Sequence, residues 1–121
     1  MRPALLAVPL TATLSVPPAL AQGYETVETR EAFLAAVEGH ELSIWLLGVR
    51  LRVHADGTIT GEARDDAVTG SWTWENGEFC REMTWGEMAI EPACQLVEVA
   101  SNRIRFSLDG GAGDNATFVI Q

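Results

Sequence analysis

The chain contains no lysine: its eight basic side chains are all arginines, set against seventeen aspartates and glutamates for a formal charge of −9. So few cations argue against a nucleic-acid binder, which must neutralise phosphates, and anionic membrane surfaces repel such a chain. The acids are dispersed rather than gathered in a tail, and read as a solubilising surface. Cysteine is almost absent. Cys80 and Cys94 are the only two, and neither a Cys-x-x-Cys spacing nor a base beside either thiol marks them as redox-active. His40 and His54 are the only histidines and have no Cys or His partner at ligand spacing, which leaves zinc without a ligand set. There is no Gly-x-Gly-x-x-Gly phosphate loop and no nucleophile elbow; Ser71, His54 and Asp56 make a triad only on paper. Internal repeats, low-complexity tracts and linkers are also missing.

One hydrophobic run stands out, Ala4 to Val16, and it lies near the start. Arg2 precedes it, Pro17 and Pro18 end it, and Ala19-Leu20-Ala21 forms a small-x-small cleavage site. Pro9 interrupts it, and it falls short of the roughly 20 apolar residues of a membrane span. Residues 1–21 are therefore expected to be a signal peptide and residues 22–121 one domain, exported to the periplasm or beyond, with no membrane span once the signal is removed. A mature chain of about one hundred residues buries somewhat over 60% of its unfolded surface, enough for a single core. In an oxidising compartment the two cysteines read as one disulfide. Closing a loop of about fifteen residues contributes about 3 kcal/mol in the chain-entropy model.

The densest stretch is Gly70 to Arg81, GSWTWENGEFCR. Asn-Gly between two strand-like runs is a strong hairpin signal. A two-residue loop at Asn76-Gly77 pairs Glu75 with Glu78, Trp74 with Phe79, Thr73 with Cys80 and Trp72 with Arg81. Alternation then places Trp72, Trp74, Phe79 and Arg81 on one face and Ser71, Thr73, Glu75, Glu78, Cys80 and Glu82 on the other.

Upstream, Thr29 is a helix N-cap and Gly39 a C′ glycine, bracketing a short amphipathic helix over Arg30 to Glu38 with Phe33, Leu34 and Val37 on its apolar stripe. From Glu41 the period becomes two. Leu42 to Leu47 reads as a strand buried on both sides, Gly48 as a break, and Val49, Leu51 and Val53 alternate with Arg50, Arg52 and His54. Ala55-Asp56-Gly57 is a turn into Thr58-Ile59-Thr60, and Gly61 to Val68 a polar connection. After the hairpin, Trp85 to Pro92 reads as a loose loop clipped by the disulfide. Strands follow over Cys94 to Val99, around Ile104 to Leu108 and over Ala116 to Ile120, with a glycine-rich turn at Asp109 to Gly113. About eight short strands after one helix predict a mainly β fold, an antiparallel meander closed into a small β-barrel, or a curled open sheet under the helix.

The aromatic face is either the barrel interior or the lining of a binding cavity, with Trp45, Met83 and Trp85 at its rim. Trp72, Trp74, Phe79, Arg81 and Trp85 are the candidate ligand-binding residues. Arg81, a cation among rings, can stack on Trp72 and needs an acidic or carbonyl partner if buried. It is either a clasp closing one barrel end or the anchor for an anionic ligand group. Glu75, Glu78, Glu82, Glu87 and Glu91 crowd the other face and the following loop, but opposed acids at a hairpin tip are ordinarily solvated neighbours. Asp109 to Asn115 lacks the alternating acids and distal glutamate of a calcium loop. No catalytic set, metal or cofactor is expected.

Gly70-Ser71-Trp72 has the Gly-x-Trp form of lipocalins and their relatives, in which an arginine packs on the tryptophan; there it opens the barrel, and here it stands mid-chain. More broadly, DGTITG (Asp56 to Gly61), VTGSWTWENGEFCR (Val68 to Arg81), CQ (Cys94-Gln95) and NRIRFSLDGGAGD (Asn102 to Asp114) resemble a family of small exported alphaproteobacterial proteins without an established activity. Members often carry the label dihydrodipicolinate reductase, and the resemblance implies that label here. The residues argue against it, since such a reductase holds its nicotinamide cofactor at a glycine-rich turn between strand and helix. Three readings follow: a non-enzymatic periplasmic β-domain binding a small ligand or protein through its aromatic surface; an inhibitor of secreted proteases, using Gln22 to Glu28 or the Trp85 to Pro92 loop as its contact; and the reductase of the label.

Overall fold

The two central residues of the Asn76-Gly77 turn both have left-handed φ, 52° and 77°, as a two-residue type I′ hairpin requires. All four pairings expected from it are present, from Glu75↔Glu78 to Trp72↔Arg81. The molecule, a computed structural model, is described here for residues 23–121; the expected signal peptide and its cleavage site lie outside the described residues.

The chain runs β1 (Glu25–Thr26), α1 (Arg30–Val37), β2 (Leu42–Ile44), β3 (Val49–Val53), β4 (Thr58–Ala63), β5 (Asp66–Glu75), β6 (Glu78–Trp85), β7 (Met88–Ala100), β8 (Arg103–Ser107) and β9 (Asn115–Ile120), with short 3-10 turns at Trp45–Leu47 and Asp109–Gly111. Strands β2 to β9 form a closed antiparallel barrel in the order β7-β6-β5-β4-β3-β2-β9-β8, with β8 pairing back onto β7. The length of β7 makes closure possible: Met88 to Gln95 pair with β6, and Leu96 to Ala100 with β8. Closure leaves no long exposed edge. Strand β1 adds to β7 through Glu25↔Val99 and Thr26↔Glu98. Tyr24 lies against the Arg105 guanidinium, 3.9 Å from its ring centroid, and Arg105 is itself paired with Glu98 at 3.0 Å. The N-terminal arm is therefore bound to the barrel wall.

Three expectations from the sequence are corrected. Gly61 to Val68 is no loop: β4 and β5 run to a two-residue turn at Arg64-Asp65, both with positive φ. Its inward positions, Gly61 and Ala63, are too small to show an apolar alternation. Trp85 to Pro92 is likewise strand around a turn at Gly86-Glu87, with Trp85 opposite Met88. The disulfide, Sγ–Sγ 2.04 Å, thus links directly opposed residues of a ladder rather than clipping a loose loop. Finally, Trp45 and Leu46 are not buried strand residues. They stand 78% and 76% exposed on a 3-10 turn that ends at left-handed Gly48.

Helix α1 closes one end of the barrel. Thr29 caps it, Oγ1 accepting from the Ala32 N–H at 3.1 Å, and Gly39 follows with φ +79°. Phe33 and Val37 are fully buried. Phe33 sits in a ring of aromatics, with centroids 5.3 Å from Trp72, 5.1 Å from Trp74 and 5.1 Å from Phe79. Phe106 continues the cluster to Phe118. The helix end carries the turns at residues 54–57, 76–77 and 101–102; the opposite end carries those at 64–65 and 86–87.

Removing the plug should cost what a large core ring costs. Phe33→Ala is expected to lower unfolding stability by about 3 to 5 kcal/mol, read from the shift of a urea melt. Replacing both Cys80 and Cys94 by serine is expected to lower it by about 3 kcal/mol, and a reductant should reproduce that shift in the parent protein.

Candidate functional site: the barrel interior and its open mouth

Alternation along β5 and β6 does aim the candidate residues inward, but the structure divides them. Trp72 and Phe79 are each 4% exposed and, with half-buried Trp74, pack around Phe33. They form the core of the closed end, and Phe79 also walls the inner space beyond it. Their polar atoms are used within the fold, as buried tryptophans require: Trp72 Nε1 donates to the His54 carbonyl at 2.9 Å and Trp74 Nε1 to that of Glu28 at 3.4 Å.

Arg81 does not cover Trp72. That place belongs to Arg30 of α1, whose guanidinium carbon is 5.2 Å from the indole centroid while Nη2 donates to the Ala55 carbonyl at 2.8 Å. The lipocalin-like packing of arginine on tryptophan is thus present with a different arginine, brought by the helix that plugs the barrel.

The position of Arg81 follows from a β-bulge. Arg81 pairs with Ala93 and Met83 with Ile90, so Glu91 and Pro92 together oppose Glu82. A bulge leaves a residue out of the ladder, and Pro92 has no N–H to offer one. The Glu91 carbonyl freed in this way accepts from Arg81 Nη1 at 2.6 Å. Arg81 Nε is buried without a partner, and neither ion pair among the described residues involves Arg81. Burial lowers the guanidinium pKa from its ordinary value by desolvation, yet arginine stays charged at neutral pH. Arg81 is partly exposed and has no ion-pair partner among the described residues; it borders both an inner space and an external groove that Glu75 and Glu82 also line.

Two spaces lie beyond the plug. The inner one, about 150 Å³, is walled by apolar side chains including Leu42, Ile59 and Phe118, and its two polar lining residues are Arg81 and Gln95. The outer one, about 480 Å³, is a largely apolar groove at the end opposite the helix, walled by Val68, Met83, Trp85 and Ile90, with Arg64 as its one charged lining residue among those described. Leu51 and Met83 belong to both walls. Trp85 Nε1 donates to the Ala63 carbonyl at 2.8 Å, which holds the indole flat in the wall. Of the rim residues expected from sequence, Met83 and Trp85 are there; Trp45 lies outside, beside Glu41, Arg50 and Glu62. The inner space and Gln95 were not visible in the sequence, because both depend on how a closed barrel fills.

The acids are elsewhere. Glu75 and Glu82 border a shallow external groove beside the disulfide, and none of Glu75, Glu78, Glu82, Glu87 and Glu91 lines either interior space. The paper triad is not assembled: His54 Nε2 bonds Thr60 Oγ1 at 2.7 Å, and the Asp56 carboxylate is taken by the Thr58 hydroxyl and N–H. Those two bonds hold Asp56 below the usual carboxylate range. Among the described residues no cluster of His, Cys, Asp and Glu could hold a metal, and no helix is long and apolar enough to cross a membrane. The one α-helix among them follows the Thr29 cap, not a glycine-rich turn after a strand, so the nucleotide-binding element behind the reductase label has no counterpart there.

Replacing Arg81 by methionine tests what the cation does for the empty protein. Losing the Glu91 carbonyl's partner costs about 1 to 3 kcal/mol, while removing a partly desolvated charge that has no ion-pair partner is favourable and the methionine keeps the packing of the stem. Arg81→Met is therefore expected to melt in urea within about 1 kcal/mol of the parent.

No family model, curated protein or solved structure matches the chain.

Proposed function

We infer that this is a non-enzymatic binding domain, exported to the periplasm or secreted, that takes a small, largely apolar ligand into the barrel through the end opposite α1. The observation that carries the reading is the asymmetry of the interior: one end is filled by Phe33 and its aromatic neighbours, while the other holds a largely apolar groove and, across Leu51 and Met83, an inner space. Ligand sites are typically apolar concavities with a few placed polar groups, and here those are Arg81 and Gln95 in the inner space and Arg64 in the groove. The disulfide supports an oxidising compartment. The protease-inhibitor reading has less support, since the arm before the helix pairs with β7 and the Trp85 to Pro92 segment is a tight hairpin.

Titration with the uncharged fluorophore N-phenylnaphthylamine tests the reading. Saturable fluorescence enhancement is expected in the parent. Met83→Trp, which fills the neck between the two spaces, is expected to weaken binding at least about tenfold, a difference of about 1.4 kcal/mol, with an unchanged far-ultraviolet circular dichroism spectrum. Equal binding by both proteins, or no saturation in the parent, would sink it.

A further inference from the structure

We propose that the ligand is an amphiphile with a singly charged carboxylate head, seated on Arg81 with its alkyl tail running past Met83 into the groove beside Trp85. This rests on the interior-binding reading and adds the chemistry of the ligand. Among the described residues Arg81 is the only charged side chain lining the inner space. One guanidinium nitrogen, Nη1, is engaged by the Glu91 carbonyl, and Nε, though buried, has no acceptor. A guanidinium presents its donors as a planar fork, and the edge that includes Nε matches the two oxygens of a carboxylate. Gln95 in the same wall can donate from its amide or accept.

The number of charges selects the class of head group. One arginine in an apolar enclosure balances one negative charge; a phosphate dianion would enter with a charge left over, which an apolar site disfavours. A neutral head would leave the cation unpaired. An ammonium head would set two cations side by side. The tail is selected by the walls. From Arg81 to the end of β6 at Trp85 is four residues along the strand, about 13 Å at strand rise, and the inward side chains on that path, Met83 and Trp85, are apolar. The inner space resembles in volume a cavity that holds benzene, about 150 Å³. It therefore accommodates the head and first carbons, and the rest of a medium-length chain must lie in the groove. None of the described acids lines either space; Glu75 and Glu82 share an external groove with Arg81 without pairing with it.

Displacement of bound N-phenylnaphthylamine by decanoate, decanol and decylamine, near neutral pH and below their micelle concentrations, tests the head group at fixed tail length. In the parent protein decanoate is expected to displace the probe at least about tenfold more effectively than decanol, with decylamine weakest. In Arg81→Met the decanoate advantage is expected to vanish while decanol is unchanged. Decanol matching decanoate in the parent would overturn the carboxylate assignment and leave interior binding standing, as would a decanoate preference that survives Arg81→Met. Saturable probe binding with no displacement by any of the three would also overturn it. Failure of the probe itself to bind would remove both. The comparison within the parent needs no variant, so it remains decisive even if Arg81→Met does not fold.

Discussion

Phe33 makes the barrel a vessel with one end. An eight-residue helix is marginal by itself in water, so α1 persists because its inner face is buried, and its inner face is chiefly this ring. Phe33 touches both hairpin tryptophans, Phe79 and Phe106. Aromatic pairs contribute about 0.5 to 1.5 kcal/mol each beyond area burial. The same contact brings Arg30 over Trp72 and onto the Ala55 carbonyl, tying the start of the helix to the β3–β4 turn. With Phe33, Trp72, Trp74 and Phe79 packed together at this end, the other end is walled mainly by aliphatic side chains and a single ring, Trp85. The open mouth is a consequence of how the aromatics are divided, and needs no separate device.

The strands can curve tightly enough to close because two inward positions carry no side chain. A Cβ on Gly61 would stand 2.1 Å from the Arg50 carbonyl oxygen, and one on Gly70 2.3 Å from that of Glu82. Both neighbours are backbone and cannot yield. Gly70 also leaves space between Val68 and Trp72 into which Met83, its cross-strand partner, is placed. The neck between the two interior spaces is thus set by a missing side chain on β5 and a flexible one on β6.

How much of this was legible depends on whether the signal was local. The central hairpin was readable to the residue, because Asn76-Gly77 fixes a turn type and the turn type fixes register. The helix was readable from Thr29, Phe33, Val37 and Gly39 for the same reason. Trp45-Leu46-Leu47 misled, since an apolar run looks the same whether it is buried strand or an exposed turn, and only left-handed Gly48 distinguishes them. The arginine over Trp72 was assigned to Arg81 because cross-strand register is local, whereas Arg30 arrives through a helix distant in sequence. Pro92 did carry a usable signal: proline inside a strand marks an edge or a bulge. That signal, followed through, would have marked a freed carbonyl beside Pro92, the one that Arg81 reaches. The inner space had none, because a cavity is a property of the closed barrel and of no segment in it.

An arginine at that place would be difficult to understand in a barrel that served only as a stable fold. Closed and dry, an apolar space of about 150 Å³ costs about 3 to 4 kcal/mol at 24 cal/mol per Å³. That is an upper figure here, since the neck opens on the groove, but it is a large share of the 5 to 15 kcal/mol that stabilises a small domain. A leucine or methionine in place of Arg81 would fill the same volume without bringing in a charge that must be desolvated. Satisfying the bulge carbonyl calls for one hydrogen bond, which a neutral donor such as glutamine could supply. What a neutral donor could not supply is a net positive charge facing an apolar void. The charge and the void each cost stability in the empty protein, and a bound anion with an apolar tail would offset both together.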